Sequence, residues 1–293
     1  MTSAEIFDQG YRRFEGERAG IVSSIRSVVW YTTKSMLGIG RKGRHKVFPI
    51  IIAAIAFLPT VIIFGIVALF GDASDGIRPD YYEFLGPSES FGFLVFAHFL
   101  YAVAVAPEAI VRDRRDGMVA LYMSTPLTRW TYLVAKTIAV AGTMAIVVLG
   151  PALLLLLGYT IQGQGPDGFD GWLSVFAKLL LGGASIVITY CGVSLGISSL
   201  TDRRAFASVA VLLVLLGGSI VAAILVEGLE MSSNYLLFDP LGSPFEFAIR
   251  LFGDTSDGPG GDVSDGAVTL GVLGWIVAGF GVLIGRYRKL SVI

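Results

Sequence analysis

Six stretches of this chain are each long and apolar enough to cross a hydrocarbon core, and no other feature limits its fold as tightly. They fall near residues 47–70, 91–111, 132–158, 173–200, 205–226 and 267–285. A core of ~30 Å takes about 20 helical residues, so each run suffices. Lipid offers the backbone no hydrogen-bond partners, which leaves only helices or closed barrels. The runs are continuously apolar and lack the alternation of a barrel strand. Charged residues make up 15% of the chain and mean hydropathy is +0.72, against about a quarter charged in a soluble domain. That balance excludes an ordinary soluble globule. The expected fold is an all-α integral membrane protein with six transmembrane helices, an N-terminal interfacial amphipathic helix and a short outer helix before the last span.

Lysine and arginine set the expected orientation. Residues 1–46 hold nine, residues 111–136 five, the 201–204 turn two and the C-terminal tail three, which leaves Arg78, Arg250 and Lys178. The sorting predicts a multi-pass protein of the cell membrane with both termini cytosolic. Two regions follow: 1–46 as a cytosolic N-terminus with the interfacial helix, and 47–293 as the six-span domain. Within the latter lie an elbow at 111–131 and an outer segment at 227–266. Apolar residues from Ile21 to Met36 share one helical face, with Arg26, Ser23 and Lys34 opposite, as a helix in the membrane interface requires. Arg41-Lys42-Gly43-Arg44-His45-Lys46 reads as a topology anchor beside a span, and no nucleic-acid partner is expected. No cleavable signal sequence is expected, because the first apolar run begins only near Val47. Cys191 is the only cysteine, so no intrachain disulfide can form.

Few polar groups interrupt the spans. His98 in the second and Glu108 at its inner end are candidates for a gate or path, since an ionisable group in a span invites a functional reading. Gly192-Val193-Ser194-Leu195-Gly196 admits two readings. As small residues four apart, Gly192 and Gly196 let another helix approach, as do Gly281 and Gly285 in the last span. As G-x-S-x-G the same string matches a hydrolase nucleophile elbow. At 1.5 Å per residue, Ser194 is expected about 33 Å from the outer face and His98 about 12 Å. A base must lie within about 3 Å of its proton, so packing is the preferred reading. In the outer segment, Ser243-Pro244-Phe245-Glu246 reads as a helix start with Ser243 as N-cap and Glu246 as capping-box partner. The apolar stripe after it suits a helix at the outer lipid surface, or one that dips in and back. Asp254, Asp257, Asp262 and Asp265 then fall in a glycine-rich loop whose spacing fits no EF-hand. Neither a metal nor a catalytic residue is expected.

The most informative stretch joins the second and third spans. It runs Glu108-Ala109-Ile110-Val111-Arg112-Asp113-Arg114-Arg115-Asp116-Gly117 and continues from Met118 to Lys136. The second span is expected to extend as helix to Arg115, Gly117 to break it, and Met118–Met123 to form a short helix with Val119, Tyr122 and Met123 exposed. Thr125 and Pro126 are expected to start the next helix. A topology signal alone would need only the arginines. It leaves the short apolar helix between charges unexplained.

Glu108, Gly117, Leu121, Pro126, Arg129 and Lys136 fall in the order and spacing of a family signature. In this run the chain resembles the type 2 ABC transporter permeases, six-span exporter membrane subunits. Met118, Ala120 and Ala135 depart from the residues common there. The resemblance implies a non-enzymatic transport subunit whose 113–126 segment is a coupling helix seated on a separate ATP-binding subunit. Arg114, Arg115, Asp116, Gly117, Leu121, Tyr122, Met123 and Pro126 would make those contacts. A second permease, copy or paralogue, would complete the path through membrane lipid. The chain has no Gly-Lys dipeptide and hence no phosphate-cradling loop of the usual kind, so ATP and Mg would belong to the partner and no cofactor to this chain. The scarcity of charge within the spans suggests a lipidic, amphipathic or drug-like cargo. Two other readings remain: an intramembrane hydrolase or transferase using Ser194, or an ion-coupled secondary transporter, which would need charges near the midplane.

Overall fold

The computed structural model describes residues 20–43, 46–71, 80–85, 93–256 and 258–289, and among these every regular element is helical. Ten α-helices follow in chain order: α1 (Ile21–Met36), α2 (Val47–Phe70), α3 (Phe93–Ala104), α4 (Glu108–Arg115), α5 (Met118–Met123), α6 (Arg129–Ile161), α7 (Gly168–Ser198), α8 (Arg204–Ala223), α9 (Ser243–Leu251) and α10 (Asp265–Lys289). Six helical segments meet the length and hydropathy of a membrane span: α2, α3 with α4, α6, α7, α8 with its terminal π turn, and α10. At 1.5 Å per residue, the 33 residues of α6 make a rod of about 50 Å, so its ends stand outside a ~30 Å core.

Burial separates interior spans from outer ones. The α3–α4 span and α7 are largely enclosed, whereas α2, α8 and α10 turn Ile62, Leu69, Leu213, Val221, Leu270 and Val277 outward, as helices bordered by lipid must. Amphipathic α1 buries Val28, Thr32 and Met36 and leaves Val22 and Trp30 exposed. Neither Pro59 nor Pro151 ends its helix.

Glycines decide how closely the helices approach. A Cβ at Gly196 would lie 2.4 Å from the Gly279 carbonyl oxygen, and one at Gly279 would lie 2.4 Å from the Gly192 carbonyl carbon. Helices α7 and α10 therefore cross backbone against backbone. Phe57 and Phe64 of α2 fill the spaces left by Gly150 and Gly158 of α6. Gly281 and Gly285, expected at a helix contact, face open space instead, because the crossing falls at Gly279.

The outer segment folds back into the bundle. Phe245, Ala248 and Ile249 of α9 are buried, with Ala248 against Gly182 of α7. The Phe245 ring stacks at 6.0 Å on His98 and meets Tyr190 edge-on at 6.1 Å. The Tyr190 hydroxyl donates to the Leu241 carbonyl at 2.9 Å. The start of α9 differs from the expected capping box: Gly242 is the N-cap and Ser243 already helical. Glu246 faces Arg250 in the next turn, no side chain caps the helix, and Asp239 accepts the Leu241 N–H at 2.8 Å in the turn ahead of it. Burial raises the Asp239 carboxyl, while its hydrogen bonds oppose the rise. Arg250 also reaches Asp265 and the Gly260 carbonyl, closing the loop onto the first turn of α10. Among the described residues no group of three His, Cys, Asp or Glu could hold a metal ion, and Asp257 lies outside them.

Gly279→Ala drives a methyl group into the α7 backbone and should destabilise the protein by about 1–3 kcal/mol, the range for overpacking. Gly281→Ala should be close to neutral. Thermal unfolding of both variants in detergent reads the difference, and equal loss would contradict the assigned crossing.

Candidate coupling site

Pro107 creates the site by breaking a helix. Proline has no N–H and cannot continue the ladder of α3. The Ala106 N–H reaches back to the Tyr101 carbonyl and the Glu108 N–H takes the Val105 carbonyl. The carbonyls of Ala102 and Ala104 thus lose their regular partners. Other elements supply donors: the Ser194 hydroxyl reaches Ala102 at 3.0 Å, and Arg204 reaches Ala104 at 2.9 Å. Ser194 is fully buried and spends its proton on this bond. It lies nearer His98 than the span ends suggest, because Ala102 follows His98 by about one turn, ~6 Å. Even so, among the described residues neither ring nitrogen of His98 finds a hydrogen-bond partner, and no Ser–His pair forms. His45 lies outside the described residues.

Beyond the break, four of the five charged residues of α4 tie down other elements. The Asp113 carboxylate is buried and meets the Lys136 ammonium at 2.6 Å. It also accepts the Tyr132 hydroxyl at 3.0 Å, while Lys136 donates to Thr32 of α1 at 2.8 Å. A buried charge is tolerable only when paired and hydrogen-bonded in this way. Tyr132 stacks in turn on Tyr287 of α10, ring centres 5.9 Å apart. Arg112 donates to Ser35 of α1 at 2.7 Å. Arg114 pairs with Asp202 at 2.8 Å and donates to the Ser199 carbonyl in the α7–α8 turn. Glu108, placed at the inner end of the second span, bridges Arg41 and Arg204. The start of α6, the ends of α7 and α10, the start of α8 and the length of α1 are thereby gathered on one face.

Gly117 then turns the chain. Its φ of 68° lies in the left-handed region, which glycine enters without penalty. Helix α5 leaves at a new angle and runs over α1 and α6. Sequence reasoning expects Val119, Tyr122 and Met123 outward. Instead Val119, Tyr122 and Met123 are half-buried, with the Tyr122 ring 5.7 Å from that of Tyr132 and 5.8 Å from the Lys136 ammonium. Burial and the nearby Asp113 charge push the Tyr122 hydroxyl up to about 12. Leu121 is the outward apolar residue, 58% exposed. Pro126 is exposed, but Thr128 rather than Thr125 caps α6, by accepting the Thr131 N–H. Thr125 closes the last turn of α5 by donating to the Tyr122 carbonyl at 2.6 Å. Of the three charged residues assigned to a partner, Arg115 and Asp116 are outward, whereas the Arg114 side chain is 10% exposed and occupied internally. Gly192 and Gly196 line the α10 crossing.

The family model for ABC-2 family transporter proteins matches residues 7–291, nearly the whole chain. The chain belongs to that family. It is a multi-pass membrane permease subunit of an ABC transporter, a transport component rather than a catalytic one. Permeases of this family generally work with an ATP-binding subunit. No curated protein matches the chain.

The sequence does not pair Asp113 with Lys136, since one is among several elbow charges and the other falls near the start of the third apolar run. Only the elbow's fold brings them together. Removing either partner, as in Asp113→Asn or Lys136→Met, strands a buried charge and should destabilise the permease by about 3–5 kcal/mol. The double variant should lose clearly less than the sum. Denaturant unfolding in detergent gives the cycle, and additivity would refute the pairing.

Proposed function

We propose that this chain is an export permease driven through α5 by a separate ATP-hydrolysing subunit, with two permeases lining the path. One observation carries the reading: a short helix with exposed Leu121 stands out from the face on which α4 ties the span ends together. A push on α5 reaches α4 through one glycine and passes from there into α1, α6, α8 and the α7–α8 turn. The excess of basic residues on that face makes it cytosolic by the positive-inside rule, with both termini there. Segment 113–126 is the coupling segment, in which Leu121, Arg115 and Asp116 meet the partner. Tyr122, Met123 and Arg114 hold α5 and α4 to the permease from behind.

The cargo on this reading is lipidic, amphipathic or drug-like. The buried charges that the structure pairs, Asp113 and Lys136, sit at the basic end of the bundle and not at its middle, which leaves an apolar interior. An ion-coupled carrier needs ionisable groups at the midplane, and His98 there is packed against Phe245. Catalysis by Ser194 is disfavoured by its bond to Ala102.

Leu121→Asp should weaken ATPase association by about 2 kcal/mol, roughly 30-fold, as for a central interface residue. Stimulated ATP hydrolysis should fall accordingly in the purified complex. Arg114→Gln should lower thermal stability while the association constant stays near wild type. Undiminished hydrolysis with Leu121→Asp would remove the coupling role.

A further inference from the structure

A cavity on the basic face carries an excess of positive charge. It encloses about 290 Å³ between Arg41, Glu108, Val111, Arg112, Arg115, Asp116 and Arg204. Four arginines face two carboxylates there, so the described lining carries two positive charges in excess. The carboxylates are already engaged: Glu108 with Arg41 and Arg204, Asp116 with Arg112 and Arg115. Among the described residues, both terminal nitrogens of Arg115 and one of Arg112 find no acceptor. Planar guanidinium forks with spare N–H groups match the oxygens of a phosphate. Arg204 opens the fifth span, Arg41 lies a few residues before the first and Glu108 begins α4, the inner part of the second. The cavity therefore sits where spans leave the hydrocarbon, at headgroup depth. Val111 gives it an apolar wall, and Ser35 of the interfacial helix α1 joins Arg41 to Arg112.

We infer that this cavity holds the phosphate headgroup of one anionic phospholipid from the leaflet on the basic face, as a resident lipid bracing α1, α4 and α8. Basic pockets between spans are a recurrent way to bind such headgroups. The inference does not require that α5 seats an ATPase, and it differs from the coupling reading at Arg115, which it gives to the lipid rather than to the partner. A free phosphate offers the same oxyanion, so the two sources have to be separated.

The full chain in phosphatidylcholine nanodiscs containing a minor fraction of phosphatidylglycerol should retain one phosphatidylglycerol under native mass spectrometry. Arg112→Gln with Arg204→Gln should reduce that retention about tenfold, a loss of roughly 1.4 kcal/mol. Arg203→Gln, a charge change outside the cavity, should leave it intact. Arg112→Lys keeps the charge, guards against misfolding and should still weaken retention several-fold, because an ammonium lacks the fork. Equal retention in the double variant, or no preference over phosphatidylcholine, would overturn the proposal. Glycerol 3-phosphate titrated into phosphatidylcholine-only discs should give no adduct, and a saturable adduct would reassign the cavity to a soluble anion. Loss of the lipid when the ATPase is added would likewise overturn residence and leave the arginines to an acidic partner residue.

Discussion

A carboxylate and an ammonium removed from water must find each other, and the Asp113–Lys136 contact is where this structure meets that demand. The pair is nearly inaccessible to solvent, with Tyr132 and Thr32 completing its hydrogen bonds. Through it α4, α6 and α1 share one set of interactions, and Tyr132 extends the set to Tyr287 of α10. Replacing such a pair by apolar residues can leave a protein as stable as before. Its role here is therefore positional: it fixes one register of α4 against α6, and every other contact of α4 follows from that register.

The break at Pro107 works alongside the pair. An unbroken helix would have kept the Ala102 and Ala104 carbonyls within its own ladder. With the ladder cut, Ser194 and Arg204 supply donors from the fourth and fifth spans. Glu108, the first residue beyond the break, draws Arg41 and Arg204 together. A single proline thus converts one span into a junction of several elements, and Gly117 turns the chain out of it as α5. On the proposed coupling role, force arriving at α5 would meet a charged, hydrogen-bonded body rather than a loose loop.

How far this could be seen in the sequence depended on the range of the signal. The six spans were legible because length and hydropathy act locally, and α1 because its apolar face repeats at helical spacing. The helix reaching Arg115 and the break at Gly117 were legible for the same reason, whereas the earlier break at Pro107 was not expected. Partnerships between distant residues were not. Arg114 reads as a charge held out for a partner subunit until the α7–α8 turn brings Asp202 and the Ser199 carbonyl to it. Tyr122 reads as an outward anchor because nothing local shows that Gly117 turns it over Tyr132. The last span offers several glycine spacings, and only the crossing with α7 selects Gly279. Ser194 matched a nucleophile pattern, whereas its hydroxyl answers a carbonyl freed by a proline on another helix.

On the proposed coupling, the elbow and the span ends bound to α4 would move as one body. Spin labels at Ala120 in α5 and Ala205 at the start of α8, both exposed, measure it by pulsed electron resonance in the complex with its ATPase. The account predicts one narrow distance, unchanged between nucleotide-free and nucleotide-bound states. A distance that shifts or broadens on nucleotide binding would mean that α5 moves independently of α4, and would contradict it.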